Sequence, residues 1–469
     1  MPFLTSPFRS GAREQAPVVP GAPRKTGQGL RNMELGLLVF AFIINFSALL
    51  LVQLGVRGTF DFNVVTLSAI IGALTLGVNI VLRFRAPGAD PFILPIAAVL
   101  NGLGIAMIYR IDLSNPDLEG VFWTPSTQQI VLTMLAVGVA MVVLILLKNH
   151  RVLQRYTYVF MALAIVLLLL PLIPGLGRTD VAARVWISIA GFSFQPGEIA
   201  KIALAIFFAG YLVTARDSLS VVGKKFLWMR FPRIRDLGPI LVVWAVCMGV
   251  LVFQRDLGTS LLYFGLFLVM VFVSTGRLSW VLIGLGLFIG GALIAANTLG
   301  YVEFRVHAWL DPFDQEMYEA DGGSFQLVTG LFGLGAGGLI GKGLGSGSPG
   351  TTPLASSDFI IAAIGEELGM AGIFVVLLLF VIFVARGFRI GQQGVDDFGR
   401  LLATGLAFTI ALQVFVVAGG VMRVIPLTGL TMPFMAAGGS SLLANWIIVA
   451  ILLRLSDTVR NVPTEAIDE

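Results

Sequence analysis

The sequence predicts an all-α, polytopic membrane protein with about twelve spanning helices. Three observations carry this. The 469 residues are 57% hydrophobic and only 12% charged, with a mean hydropathy of +0.91. Apolar stretches long enough for a hydrocarbon core of ~30 Å recur along the chain. Backbone groups in lipid must be satisfied within the chain, so such stretches are helices rather than open strands.

The spans are read at 33–54, 64–83, 91–109, 127–147, 156–176, 197–215, 238–254, 258–275, 279–300, 357–385, 401–421 and 433–453. Residues 1–31, rich in Pro, Gly, Ser and Arg, read as a disordered cytoplasmic tail, 32–456 as one transmembrane domain, and 457–469 as a cytoplasmic tail. With the N-terminus inside, most Lys and Arg fall in cytoplasmic loops, including Arg9, Arg13, Lys148, Lys224, Arg233 and Arg454. An even number of spans preserves this bias, so both termini are expected inside. Segments 177–197, 301–356 and 422–432 then lie outside. Cys247, the single cysteine, sits in an apolar run and reads as a small core residue. One cysteine and two histidines leave no dedicated His/Cys metal site.

The first external segment holds Arg184 and Trp186, read as flanking a short interfacial helix, and then Gln195-Pro196-Gly197-Glu198. Pro196 suits the first turn of a helix. Glu198 and Lys201, three residues apart, share one face of it. They form either an ion pair that positions helices or a cationic contact for an anionic ligand such as a phosphate. Gln254-Arg255-Asp256-Leu257-Gly258-Thr259 makes a tight turn in which Arg255 and Asp256 read as a surface pair or as part of a site.

The long segment 301–356 concentrates acids beside aromatic residues, around Trp309-Leu310-Asp311-Pro312-Phe313-Asp314. An aromatic neighbour desolvates a carboxylate and suits it to act as a general base. Ser357 and Asp358 read as a helix N-cap pair. Glu366 and Glu367 point different ways on the next helix, one toward a cavity or both toward a basic partner. Arg423 to Phe434, with Pro and Gly at both ends, reads as a broken, re-entrant passage before Gly438-Gly439-Ser440-Ser441.

Taken together, Trp186…Gln195-Pro196-x-Glu198-x-x-Lys201, Asp256-Leu257-Gly258-Thr259, Ser357-Asp358-Phe359-Ile360, Gly365-Glu366-Glu367-Leu368-Gly369 and Pro426-Leu427-Thr428-Gly429…Gly438-Gly439-Ser440-Ser441 resemble the RodA/FtsW/SpoVE (SEDS) family. The resemblance spans about residues 180–445. It implies a peptidoglycan glycosyltransferase that polymerises lipid II on the outer face of the bacterial cytoplasmic membrane, beside a class B penicillin-binding protein. Membrane lipid is the other expected partner, and no nucleic acid is. The family's essential acid follows an Asn/Asp-Pro-aromatic pattern, here Asp311-Pro312-Phe313, which orders the candidates Asp314, Asp311, Asp321. Substrate contacts are expected from Arg184, Trp186, Gln195, Glu198, Lys201, Arg255, Gln326, Ser357, Asp358, Glu366, Glu367, Arg423, Thr428, Ser440 and Ser441. No cofactor is required, although a divalent cation, Mg or Mn, would help to neutralise a leaving pyrophosphate.

Some residues depart from the family pattern. Gly197 replaces the usual Ser, Ala437 replaces an aromatic, and two spans exceed the usual ten. Arg423 and the Pro-rich tail resemble actinobacterial members, and the short stretch after the last span favours the elongation branch over division. A lipid II flippase and a non-catalytic scaffold are the competing readings. Acids gathered outside, rather than spread through the bilayer depth, favour the enzyme.

Overall fold

The computed structural model describes residues 27–460, apart from 61, 119–120, 122, 178–182, 190–191, 221–224, 227–228 and 231–237. The chain runs through α1 (Gly27–Arg57), α2 (Phe62–Arg85), α3 (Ile93–Leu113), α4 (Pro125–Leu146), α5 (Arg151–Arg155) and α6 (Thr157–Leu169). A hairpin of β1 (Ile187–Ile189) and β2 (Phe192–Phe194) precedes α7 (Pro196–Ser220). Then come a two-residue strand pair, Lys225–Phe226 with Met229–Arg230, and α8 (Gly238–Gln254), α9 (Leu257–Thr275) and α10 (Leu278–Thr298). The long segment holds α11 (Gly300–Leu310), α12 (Gln315–Glu319) and α13 (Phe325–Gly337). Last are α14 (Ile360–Gln393), α15 (Asp397–Val421) and α16 (Gly439–Arg460).

Every one of the twelve expected spans contains a helix. Among the described residues, ten are long and apolar enough to cross a membrane; α6 and α8 are shorter, at 13 and 17 residues. The protein is a multi-pass membrane protein. Burial separates centre from rim: the apolar window of α3 is 89% buried and that of α10 only 28%. Helices α7, α15 and α16 are the other well-buried ones. Polar side chains bond across this centre, as Trp446 Nε1 does to Asn101 Oδ1 (3.3 Å) and Asn101 Nδ2 to the Phe434 carbonyl (3.2 Å). In lipid, hydrogen bonds between helices serve as glue.

Several expectations are corrected. Helix α1 runs from Gly27 and buries Arg31, and α16 runs to Arg460, so helix extends into stretches read as tail. The rest of both tails, Arg178 to Asp180 and much of the basic 216–237 loop lie outside the described residues. Among the described residues around Arg184 and Trp186 there is no helix. Ile187 pairs with Phe194 and Ser188 with Ser193 in an antiparallel hairpin. Val185 and Ile187, two residues apart, are both buried, the period-two pattern of β-branched residues that a strand buries on one face. The long segment is also mostly helical rather than loop. Its Gly-rich return meets α14 at Gly369, where φ 69° and ψ −172° break the helix. There Met370 and Ala371 donate N–H groups to the Gly338 and Leu339 carbonyls at 3.0 Å. A side chain at Gly369 would strike the backbone of Leu339 to Gly341, so glycine is required.

Candidate active site

Helix α7 starts at Pro196, as expected of a proline at the first helical position. One turn in, Lys201 Nζ lies 2.5 Å from Glu198 Oε2, and both side chains are buried. The same ammonium donates to Gln413 Oε1 on α15 (2.9 Å) and Asn445 Oδ1 on α16 (3.3 Å). Gln413 passes the link to the Thr431 carbonyl (2.9 Å), and Asn445 donates to Ser441 Oγ (3.2 Å). Of the three donors a lysine has, two make these hydrogen bonds, and the contact with Glu198 Oε2 is an ion pair. The positioning role of the pair is what the geometry shows: one cation fixes α7, α15, α16 and the irregular 422–438 stretch. Close by, Ser440 Oγ accepts from the Gln195 backbone N–H at 2.8 Å, which joins the start of α16 to the start of α7. Thr428 and Thr431 are buried in the irregular stretch.

Asp256 sits at the start of α9. It caps the helix, accepting from Thr259 N (3.0 Å) and from the Thr259 hydroxyl, and does not pair with Arg255. Arg255 itself is exposed, with φ 57°. Across from Asp256 stands Arg305 of α11, whose Nη1 donates to the Leu427 carbonyl (3.3 Å). The charge of Arg305 reaches both Asp256 and Asp358. Burial pushes each carboxyl up from 3.8 to about 6, with nearby hydrogen bonds and Arg305 opposing the rise. For Asp256 the charge of Glu198 adds to it, so the buried pair and the capping acid feel one another.

The expected N-cap role of Ser357 and Asp358 is not found. The cap of α14 is Phe359 with no side-chain hydrogen bond, and Ser357 Oγ donates back to the Leu354 carbonyl (3.4 Å). The turn ending at Phe359 closes on backbone bonds to Leu354, which leaves the Asp358 carboxyl for the cluster with Arg305.

These shifts fix a pH response. A buried carboxyl raised above its unfolded value destabilises the fold when ionised. Its cost is absent below 3.8 and complete above about 6 for both acids. Stability is therefore expected to rise as pH falls from 7 to 5, while Arg305 loses its ionised partners. Unfolding monitored across that range should show the gain shrink in Asp256→Asn and again in the double variant with Asp358→Asn.

The three loop acids occupy different settings. Asp311 is exposed at the end of α11, and Asp321 is exposed in the turn before α13. Asp314 is half-buried and caps α12, its Oδ2 accepting from Met317 N at 3.1 Å. Phe313 beside it packs on Phe332 of α13, with ring centroids 6.2 Å apart. Helix α11 is clasped by Arg423, whose Nε and Nη2 donate to the Trp309 and Leu310 carbonyls (2.9 and 2.7 Å), while Trp309 Nε1 returns a bond to the Arg423 carbonyl (3.1 Å). Gln326 lies half-buried in the first turn of α13, and Trp186 is half-buried beside the exposed Arg184.

Glu366 and Glu367 face the loop rather than an open cavity. Glu366 Oε1 accepts from Lys342 Nζ (3.0 Å) and Ser348 N (2.8 Å). Glu367 pairs with Arg110 of α3 (2.6 Å) and accepts from Gly345 N (3.0 Å). The two adjacent acids thus tie the Gly-rich return to α14 and α3. Sequence reasoning placed neither Arg305 nor Arg110 in a role. Arg305 lies four residues before Trp309 on one helical face, a signal hidden by reading the segment as loop.

A family model described as cell cycle protein, FtsW/RodA/SpoVE, matches residues 91–461. The peptidoglycan glycosyltransferase RodA of Mycobacterium tuberculosis is 45% identical over 449 residues, covering 96% of this chain and 94% of that protein. The crystal structure of the rod shape determining protein RodA of Thermus thermophilus aligns with a TM-score of 0.55 at 25% identity, over 80% of this chain and 98% of that one. A chain of a solved peptidoglycan synthase complex that coordinates polymerization and crosslinking shares the fold, with a TM-score of 0.53 at 24% identity over 86% of this chain and 99% of that one. The motifs, the buried Glu198–Lys201 pair and these likenesses agree: the chain belongs to the FtsW/RodA/SpoVE family.

Proposed function

We propose that the chain is a peptidoglycan glycosyltransferase that polymerises lipid II at the outer face of the bacterial cytoplasmic membrane. One observation carries the reading: α11, held down by Arg305 and Arg423, brings an acid-bearing loop to the end of the bundle where Glu198, Lys201, Asp256 and Asp358 gather. An apolar cavity of about 380 Å³ opens between α4, α6, α7 and α16, lined by Val142, Leu146, Phe160, Ile199, Ile202 and Ile447. The lining runs from Leu147 and Leu153 to Ile199 near the start of α7, so a polyprenyl tail in this cavity would carry its head toward the start of α7. The positive-inside bias supports a reading with that cluster outside and both termini in the cytoplasm.

The acceptor sugar's 4-hydroxyl attacks the donor's anomeric carbon. A new C–O bond forms, the bond to the lipid pyrophosphate breaks, and the hydroxyl proton passes to a loop carboxylate. Asp314 is the first choice, ahead of Asp311 and Asp321. Its cap bond to Met317 orients it, and an oriented group is better prepared for proton transfer than a freely rotating one. The pyrophosphate leaves with the donor's lipid. A divalent cation, Mg or Mn, would enter with that pyrophosphate, since no three His, Cys, Asp or Glu side chains are grouped to hold one among the described residues.

The working partner is a class B penicillin-binding protein, which crosslinks the strand, and the role is elongation. Purified chain with lipid II, with and without that partner, tests the reading. Glycan polymer is the expected product. Scrambling of labelled lipid II across a vesicle membrane without polymer would establish the flippase instead.

A further inference from the structure

The family match begins at residue 91, after α1 and α2 have ended. This hairpin therefore lies outside the region that the family model matches, and its outer end touches the loop that carries the site. Three contacts make the junction. The backbones of Gly55 on α1 and Gly345 in the Gly-rich return meet so closely that a methyl group added at Gly55 would lie 2.6 Å from the Leu344 carbonyl oxygen and 2.9 Å from Gly345 Cα. Leu344 packs into a small core made by Ala48 and Leu49 of α1, Ile71 of α2, Ile105 and Ala106 of α3, and Ile130 of α4. Tyr109 on α3 donates to Gln53 of α1 (2.9 Å). Its neighbour Arg110 bonds Glu367 and the Gly347 carbonyl (both 2.6 Å), on either side of the Gly345 N–H held by Glu367.

We propose that the α1–α2 hairpin is a positioning element for glycan polymerisation, in which Gly55 and the Leu344 socket hold the return of the catalytic loop in its working register. The inference rests on the glycosyltransferase reading. Residues 338–350 follow α13 and, through a short turn at Pro349–Thr351, lead on to Asp358 and α14. Bonds within the return are few, Ser346 N to the Gly343 carbonyl (3.0 Å) among them, and its many glycines give it wide conformational freedom. Its register must come from outside, through Glu366 and Glu367 on one side and α1 on the other. Gly345, at φ 87°, can take this shape only without a side chain.

The test uses full-length protein in detergent with Gly55→Val, Leu344→Ala and, as control, Gly36→Val, where an added side chain meets open space. Two quantities are read: steady-state polymerisation of lipid II and amide hydrogen exchange. Gly55→Val is expected to lower kcat about tenfold or more with KM changed less than about twofold, as for a group acting on the transition state through placement. Exchange should quicken in 338–350 alone. Leu344→Ala should do the same more mildly, and Gly36→Val neither. Unchanged kcat and unchanged loop exchange in Gly55→Val would overturn the proposal. So would exchange that quickens throughout the molecule with activity falling only as the folded fraction falls. Wild type that makes no polymer would refute the activity, while loop exchange still decides whether α1 holds the return.

Discussion

Lys201→Met is expected to abolish polymerisation and to destabilise the protein by about 3–5 kcal/mol, the cost of leaving one member of a buried ion pair without its partner. Glu198 would remain as an unpaired carboxylate that is 4% exposed. Gln413 and Asn445 would also lose the donor that joins α15 and α16 to α7. The starts of α7 and α16 and the 422–438 stretch would then loosen, and a misplacement of about 1 Å in such a framework costs about a hundredfold in rate. The double variant Glu198→Gln with Lys201→Met separates fold from function. Replacing a buried pair by neutral groups of similar volume is often tolerated, so most of the stability should return while activity stays low. Unfolding in detergent and a lipid II assay measure the two. A double variant with wild-type activity would show that the charges themselves are dispensable.

Asp314→Asn is expected to lower polymerisation by about 10²–10⁴-fold, the usual contribution of a positioned acid–base group. The substitution is chosen because asparagine caps a helix as well as aspartate. The bond from Met317 N survives, so unfolding should barely change. Asp314→Ala loses the cap too and should cost about 1 kcal/mol more in stability. Asp311→Asn and Asp321→Asn, at exposed carboxylates, should each retain most activity. Full activity in Asp314→Asn would end its assignment as the base, and a loss confined to Asp311→Asn or Asp321→Asn would move the role there.

The helical spans were legible because lipid imposes one rule, internal satisfaction of the backbone, on every crossing segment. The Glu198–Lys201 pair was legible too, since three-residue spacing on a helix puts two side chains on one face. The hairpin at Ile187–Phe194 was misread because its apolar residues suggested an interfacial helix while their period was two. The segment 301–356 was read as loop because short helices with polar faces carry a weak apolar signal, so Arg305 was given no role although its charge reaches both raised acids.

By itself, the sequence determined the fold class, the family motifs and which acids could serve, because composition and spacing act locally along the chain. Only the tertiary structure decided which of those groups are already committed. Glu366 and Glu367 turned out to tie a loop, Asp256 to cap a helix, and Lys201 to hold three helices together. A side chain's partners come from residues hundreds of positions away, and their approach depends on packing that no local pattern encodes.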